Sequence, residues 1–207
     1  MRKRLVSTLA LAVVLALLAA TGASAGGQSE AAAPQVIKIG ASVSLTGNLA
    51  RFGELVRNGY EMWKDAVNAK GGIAVGSRKI PVEIVYYDDQ SDNQTAAKLT
   101  EKLITEDKVM FLLGPYGSGP TFATTAIGEK YDIITIASLA NASNIYERGF
   151  QNVYAVLPPG TWVFYSFIDM LAAQSPKPTK VAIIYPNDNF PTSVAKGAES
   201  YAKEKGF

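Results

Sequence analysis

Apolar positions along the chain form short continuous runs, separated by stretches in which they recur at three- and four-residue spacing. The runs at 36–43, 80–87, 109–113, 133–136 and 153–157 lack the alternation of a half-exposed sheet. They predict parallel strands covered on both faces. Phe52, Leu55, Val56, Met62, Trp63, Ala66 and Val67 share a helical spacing that Gly71-Gly72 stops. Asp92 is placed to cap a helix carrying Ala96, Leu99, Leu103 and Ile104, and another helix is predicted from about Thr121 to Lys130. This alternation predicts an α/β fold with helices on both faces of a parallel sheet.

After Pro158-Pro159-Gly160 the pattern restarts. A helix is expected from Trp162 to about Ala173, then a break at Ser175-Pro176-Lys177-Pro178 and a strand over 180–185. A polar loop, Pro186 to Phe190, precedes a helix with Val194, Ala198 and Tyr201, which Lys205-Gly206 closes. One strand and two helices cannot close a sheet or bury a core. Residues 36–158 therefore read as a first lobe, and 159–207 as part of a second whose remainder is expected beyond Phe207.

The N-terminus has the pattern of an export signal over residues 1–25. Arg2, Lys3 and Arg4 precede an apolar stretch from Leu9 to Ala20, and Ala23-Ser24-Ala25 matches a cleavage site. The stretch is short for a membrane span of about 20 residues. Residues 26–35 are small, polar and unpatterned and read as a flexible leader. Cleavage would leave 182 residues with 17 basic and 18 acidic side chains, a formal charge of −1 instead of +2. No basic patch then argues for nucleic acid or anionic lipid. The absence of cysteine removes any disulfide framework and any lipid-anchored cleavage site, so an exported, soluble, periplasmic protein is expected.

Candidate chemistry gathers in two polar loops that each follow an apolar run, Gly114-Pro115-Tyr116-Gly117-Ser118-Gly119 and Ala137-Ser138-Leu139-Ala140-Asn141-Ala142-Ser143. In a parallel α/β sheet such loops lie side by side at the carboxyl ends of the strands, where ligands bind. They offer hydroxyls, an amide and backbone groups but no strong general base, which suits holding a small polar molecule. With no histidine and no cysteine, a Ser-His-Asp triad, a thiol nucleophile and the usual zinc sites cannot be built from these residues. Ser118 lacks the Gly-x-Ser-x-Gly setting, because Tyr116 and Pro120 occupy the outer positions. No phosphate-binding glycine loop of the P-loop or dinucleotide type is present. No catalytic residue, metal or cofactor is expected. Asp88, Asp89 and Asp92 lack the glycine and terminal glutamate of a calcium loop and read as a strand end and a helix cap. Taken alone, Ser118 stays open between ligand contact and helix capping, and Asn141 between ligand contact and a turn.

The ordered set of export signal, Ile39-Gly40-Ala41-Ser42-Val43-Ser44-Leu45-Thr46-Gly47, Asp88-Asp89-Gln90-Ser91-Asp92, Gly114-Pro115-Tyr116-Gly117-Ser118 and Glu147-Arg148-Gly149-Phe150 resembles the periplasmic leucine/isoleucine/valine-binding proteins. Their amide- and aromatic-acid-binding relatives share the pattern. The resemblance implies a type I periplasmic binding fold, in which two Rossmann-like lobes close on a ligand. It also implies service as the extracytoplasmic receptor of an ABC importer, as a monomer that docks on a membrane permease. It places a carboxylate-binding serine at Ser118, and a backbone carbonyl and side chain for the ligand ammonium at Leu139 and Asn141. Asn141 stands where the family has threonine, and its amide suits an ammonium, an amide or a carboxylate. Phe52, in the loop entering the first helix, and Phe190, in the first loop of the second lobe, match ligand-facing aromatics. Tyr116 completes a wall for an apolar side chain. Lobe closure is expected about 157–161. A ligand-sensing module of a signalling system, or an exported α/β enzyme completed elsewhere, are the competing readings.

Overall fold

A computed structural model describes residues 35–207, which pack as one unit. The expected export signal and all but the last residue of the leader lie outside the described residues. The elements in chain order are β1 (Ile37–Val43), α1 (Ala50–Asn68), β2 (Ile73–Val75), β3 (Arg78–Ile80), β4 (Val82–Asp88), α2 (Asn93–Thr105) and β5 (Phe111–Leu113). These are followed by α3 (Ser118–Lys130), β6 (Thr135–Ala137), α4 (Ser143–Tyr146), β7 (Val153–Ala155), a 3-10 turn (Gly160–Trp162), α5 (Tyr165–Ala172) and α6 (Asn189–Glu204).

Five strands form one wholly parallel sheet in the order β4-β1-β5-β6-β7. β1, the second strand of the sheet, pairs with β4 from Ile37 opposite Val82 to Val43 opposite Asp88, and with β5 through Ile39, Gly40 and Ala41. Both faces of β1 are covered, which explains its unbroken apolar run. Ala41 and Val43 pack with Val56 of α1, while on the opposite face Gly40 abuts Leu103 of α2 and Val109. The expected α/β architecture is therefore present.

Several elements depart from expectation. The run at 80–87 is divided: Ile80 closes a hairpin of β2 and β3, and β4 begins after Pro81, which has no N–H for a ladder. The hairpin turn, Gly76-Ser77 with Gly76 at φ +59°, is a two-residue glycine-first signal that the helix stop at Gly71-Gly72 overshadowed. Helix α3 starts at Ser118, three residues before the predicted start. The helix expected from Trp162 is split into a 3-10 turn and α5. Asp92 does cap α2, accepting the Thr95 N–H at 2.7 Å.

The clearest departure is 180–185, which forms no strand. A strand needs a neighbour for its backbone groups, and no described strand lies beside it. Val163, Phe164, Phe167, Val181, Ile184 and Phe190 instead line an open apolar groove of about 490 Å³.

Candidate functional site

The strand order creates the site. β1 runs between β4 and β5, so the chain leaves β1 toward one side of the sheet and β5 toward the other. That change of direction opens a crevice at the carboxyl ends of adjacent strands. One wall is the loop after β1. Asp88, at the end of β4, accepts from the Leu45 N–H at 2.8 Å, the Thr46 N–H at 3.1 Å and the Thr46 hydroxyl at 2.7 Å. Burial acts to raise the Asp88 pKa, but these bonds and the Gln90 N–H together hold it below the ordinary carboxylate value. Asp89, fully buried, accepts from Ser44 at 2.6 Å, the Ser91 N–H at 2.9 Å and Ser42 at 3.2 Å. Burial dominates there and pushes its pKa up. The aspartates thus set the loop, as their strand-end and cap reading expected. Among the described residues no cluster of acidic side chains could hold a metal.

The other wall comes from the loops after β5 and β6. Tyr116 bridges Leu139, and the Gly117 N–H donates to the Leu139 carbonyl at 3.1 Å. Gly117, at φ +89°, turns the chain into α3 in a conformation that favours glycine. Ser118 is buried, and its Oγ accepts the Ala142 N–H at 3.2 Å, which leaves the hydroxyl proton free to be donated. At this helix start the Ser118 and Gly119 N–H groups have no intrahelical partner, and the dipole favours negative charge. The capping alternative for Ser118 does not hold: Gly117 is the N-cap of α3, Ser118 is the first residue of the helix, and no side chain bonds that helix end.

Phe52 and Tyr116 stack across the crevice with ring centroids 4.5 Å apart and planes 8° from parallel. They come from opposite sides of the switch point, and Phe52 remains 42% exposed. Phe52 lies in the first turn of α1 and not in a loop, because α1 begins at Ala50. Phe190 likewise lies in the first turn of α6 and not in a loop. It approaches Gly160, where an added Cβ would sit 3.6 Å from its ring. Asn141 adjoins the same place: its Nδ2 donates to the Pro158 carbonyl at 3.0 Å and its backbone carbonyl accepts the Gly160 N–H at 2.7 Å. The Leu139 carbonyl already accepts from Gly117, and its side chain is 40% exposed. The six predicted residues thus lie on loops and first helical turns that contact one another in turn: Phe52 with Tyr116, Tyr116 with Leu139, and Asn141 with Gly160 beside Phe190, while Ser118 holds the Ala142 N–H.

Two supports escaped sequence reasoning. The Tyr60 hydroxyl, on the inward face of α1, donates to the Gly114 carbonyl at 2.6 Å and lies 2.8 Å from Ser138 Oγ, tying both loops to α1. Burial pushes its pKa up to about 12, against the opposing effect of the Ser138 bond, so it stays a neutral donor. Its only sequence signal is the four-residue spacing from buried Val56. Arg148 lies between the Phe122 and Phe150 rings, 4.1 and 4.2 Å from their centroids. It donates to the Phe122 carbonyl at 2.9 Å, Thr125 Oγ1 at 2.6 Å and the Ile145 carbonyl at 3.2 Å. It therefore braces the loop after β6 against α3.

A doubly wound domain with a polar crevice and an aromatic wall at its switch point is a small-molecule-binding domain. The sequence pattern described as "Periplasmic binding protein" matches residues 36–207, and the chain belongs to that family. The Leu/Ile/Val-binding protein homolog 7 of Brucella abortus is 30% identical, over 83% of this chain and 43% of that protein. The chain spans less than half the length of the curated relatives it matches. LivJ, the branched-chain amino acid transporter substrate binding protein of Streptococcus pneumoniae, solved in complex with isoleucine, superposes with a TM-score of 0.70 at 25% identity. That match covers 81% of this chain and 47% of LivJ. The solute binding protein of an ABC transporter from Rhodopseudomonas palustris BisB5, in complex with 3,4-dihydroxy benzoic acid, has a TM-score of 0.70 at 20% identity. It covers 84% of this chain and 45% of that one, a likeness of fold. These relatives are substrate-binding proteins and not enzymes. Among the described residues no helix is long and apolar enough to cross a membrane.

Proposed function

We propose that this chain is the ligand-gripping part of an extracytoplasmic solute-binding protein that serves an ABC importer. Its solute is a small carboxylate-bearing molecule, with a branched-chain amino acid as the leading case. The observation that carries the reading is Ser118: a buried hydroxyl at a helix start that accepts the Ala142 N–H and keeps its proton to donate to an anion. Asn141 and Leu139 would receive the solute's donor end, while Phe52, Tyr116 and Phe190 wall its side chain. Residues 1–25 would direct export, leaving a soluble monomer that delivers its solute to a membrane permease. Residues 36–158 form the first lobe in this reading and 159–207 belong to a second. Closure about 157–161 traps the solute.

Calorimetric titration with L-isoleucine, L-phenylalanine, 4-hydroxybenzoate and acetamide tests this reading. One of the carboxylates is expected to bind, and Ser118→Ala to weaken it by about 10- to 100-fold, the value of a hydrogen bond to a charged group. Circular dichroism checks that the variant folds. If no carboxylate binds to folded protein, the reading is wrong.

A further inference from the structure

The segment leaving the sheet is tied to the loop after β6 at a single residue. Asn141 holds Pro158 through its side chain, at 3.0 Å, and Gly160 through its backbone carbonyl, at 2.7 Å. The contact is close: a Cβ at Gly160 would come within 2.8 Å of that carbonyl. Chemistry fixes which way the amide points. The Pro158 carbonyl can only accept, so the group facing it is the NH2, and Oδ1 is the polar atom left to meet a ligand. A threonine here is shorter and carries its donor and its acceptor on one oxygen, in place of the two separate ends of the amide.

We propose that Asn141 couples occupancy of the crevice to the 157–161 crossing. A ligand donor on Oδ1 holds the amide plane whose nitrogen grips Pro158, so binding tightens the crossing. The crossing in turn keeps residue 141 oriented as an acceptor. Coupling of this kind is reciprocal. The inference rests on the crevice reading above, but its first consequence appears without any ligand.

Amide hydrogen exchange of the peptide spanning 157–163 tests it in the wild type, Asn141→Thr and Asn141→Asp. The aspartate variant keeps the shape but sets two acceptors face to face. Amides of β1 and α2 report whether each variant stays folded. Without ligand, the Gly160 amide is expected to exchange about five- to tenfold faster in both variants than in the wild type, the scale of one lost hydrogen bond. The three carboxylate probes, L-isoleucine, L-phenylalanine and 4-hydroxybenzoate, are then added separately at saturation. The binding probe should slow Gly160 exchange in the wild type and leave Asn141→Thr much less changed.

Equal exchange in folded, ligand-free variants overturns the proposal. So does equal slowing by ligand in the wild type and Asn141→Thr. If none of the three carboxylates binds the wild type, the crevice reading fails and the coupling fails with it. Faster ligand-free exchange in the variants would then remain as a purely structural tie.

Discussion

β1 and the segment 180–185 are both short apolar runs, and their surroundings could hardly differ more. β1 has β4 on one edge, β5 on the other and helices over both faces, and Ala41 and Val43 are wholly buried. The segment 180–185 has α5 and α6 nearby but no described strand on either edge, and Ile184 is 98% exposed. An apolar run states that two faces want cover. Whether it becomes a strand depends on backbone partners that are remote in sequence.

The largest effect is expected where β1 hands the chain to α1. A Cβ on Gly53 would lie 1.8 Å from the Ser44 carbonyl oxygen, so Gly53→Ala must push α1 off the sheet. Chemical denaturation is expected to show a loss of about 3–4 kcal/mol, in the range of severe core disruption. A loss below about 1 kcal/mol would show that the helix rides more loosely than its contacts imply.

A paired truncation probes the contrast directly. Ile39→Ala removes a buried side chain from β1 and is expected to cost about 3 kcal/mol, whereas Ile184→Ala removes an exposed one and should change stability by less than about 0.5 kcal/mol. Equal costs in the 207-residue chain would mean that 180–185 is as well covered as β1.

An effect smaller than either β1 change comes from the loop beside the crevice. The Asp88 pKa is lowered in the fold, so its contribution is present above the ordinary value of 3.8 and is lost as pH falls through the folded value. Asp88→Asn should cost about 1 kcal/mol at neutral pH, allowing for solvent screening of a partly exposed group. The gap to the wild type should close on acidification below the ordinary value. A gap that stays constant with pH would assign the role of Asp88 to shape and not charge.

Much of the site was legible because its signals are local. Asp92 announced the start of α2, and the glycine-rich stretch at 114–119 announced a polar loop after an apolar run. Less legible were contacts between segments far apart in sequence. Tyr60 reaches Gly114 and Ser138 across 54 and 78 residues, and nothing in its neighbours marks that reach. Arg148 stood in the Glu147-Arg148-Gly149-Phe150 segment that helped carry the resemblance, but its place between Phe122 and Phe150 depends on how α3 packs. The hairpin of β2 and β3 carried a local signal in Gly76-Ser77, hidden because its strands are too short for periodicity to register.

By itself the sequence determined the alternation of strands and helices and the polar loops where a ligand could sit, but not the buried face of α1, whose Leu55, Met62 and Trp63 are exposed. The alternation and the loops follow from spacing or turn chemistry within a few residues. The tertiary structure alone decided the strand order that opens the crevice, the stacking of Phe52 on Tyr116 and the direction in which the Asn141 amide points. Those depend on hydrogen bonds and packing between segments that only the closed sheet brings together, and local preference does not encode them.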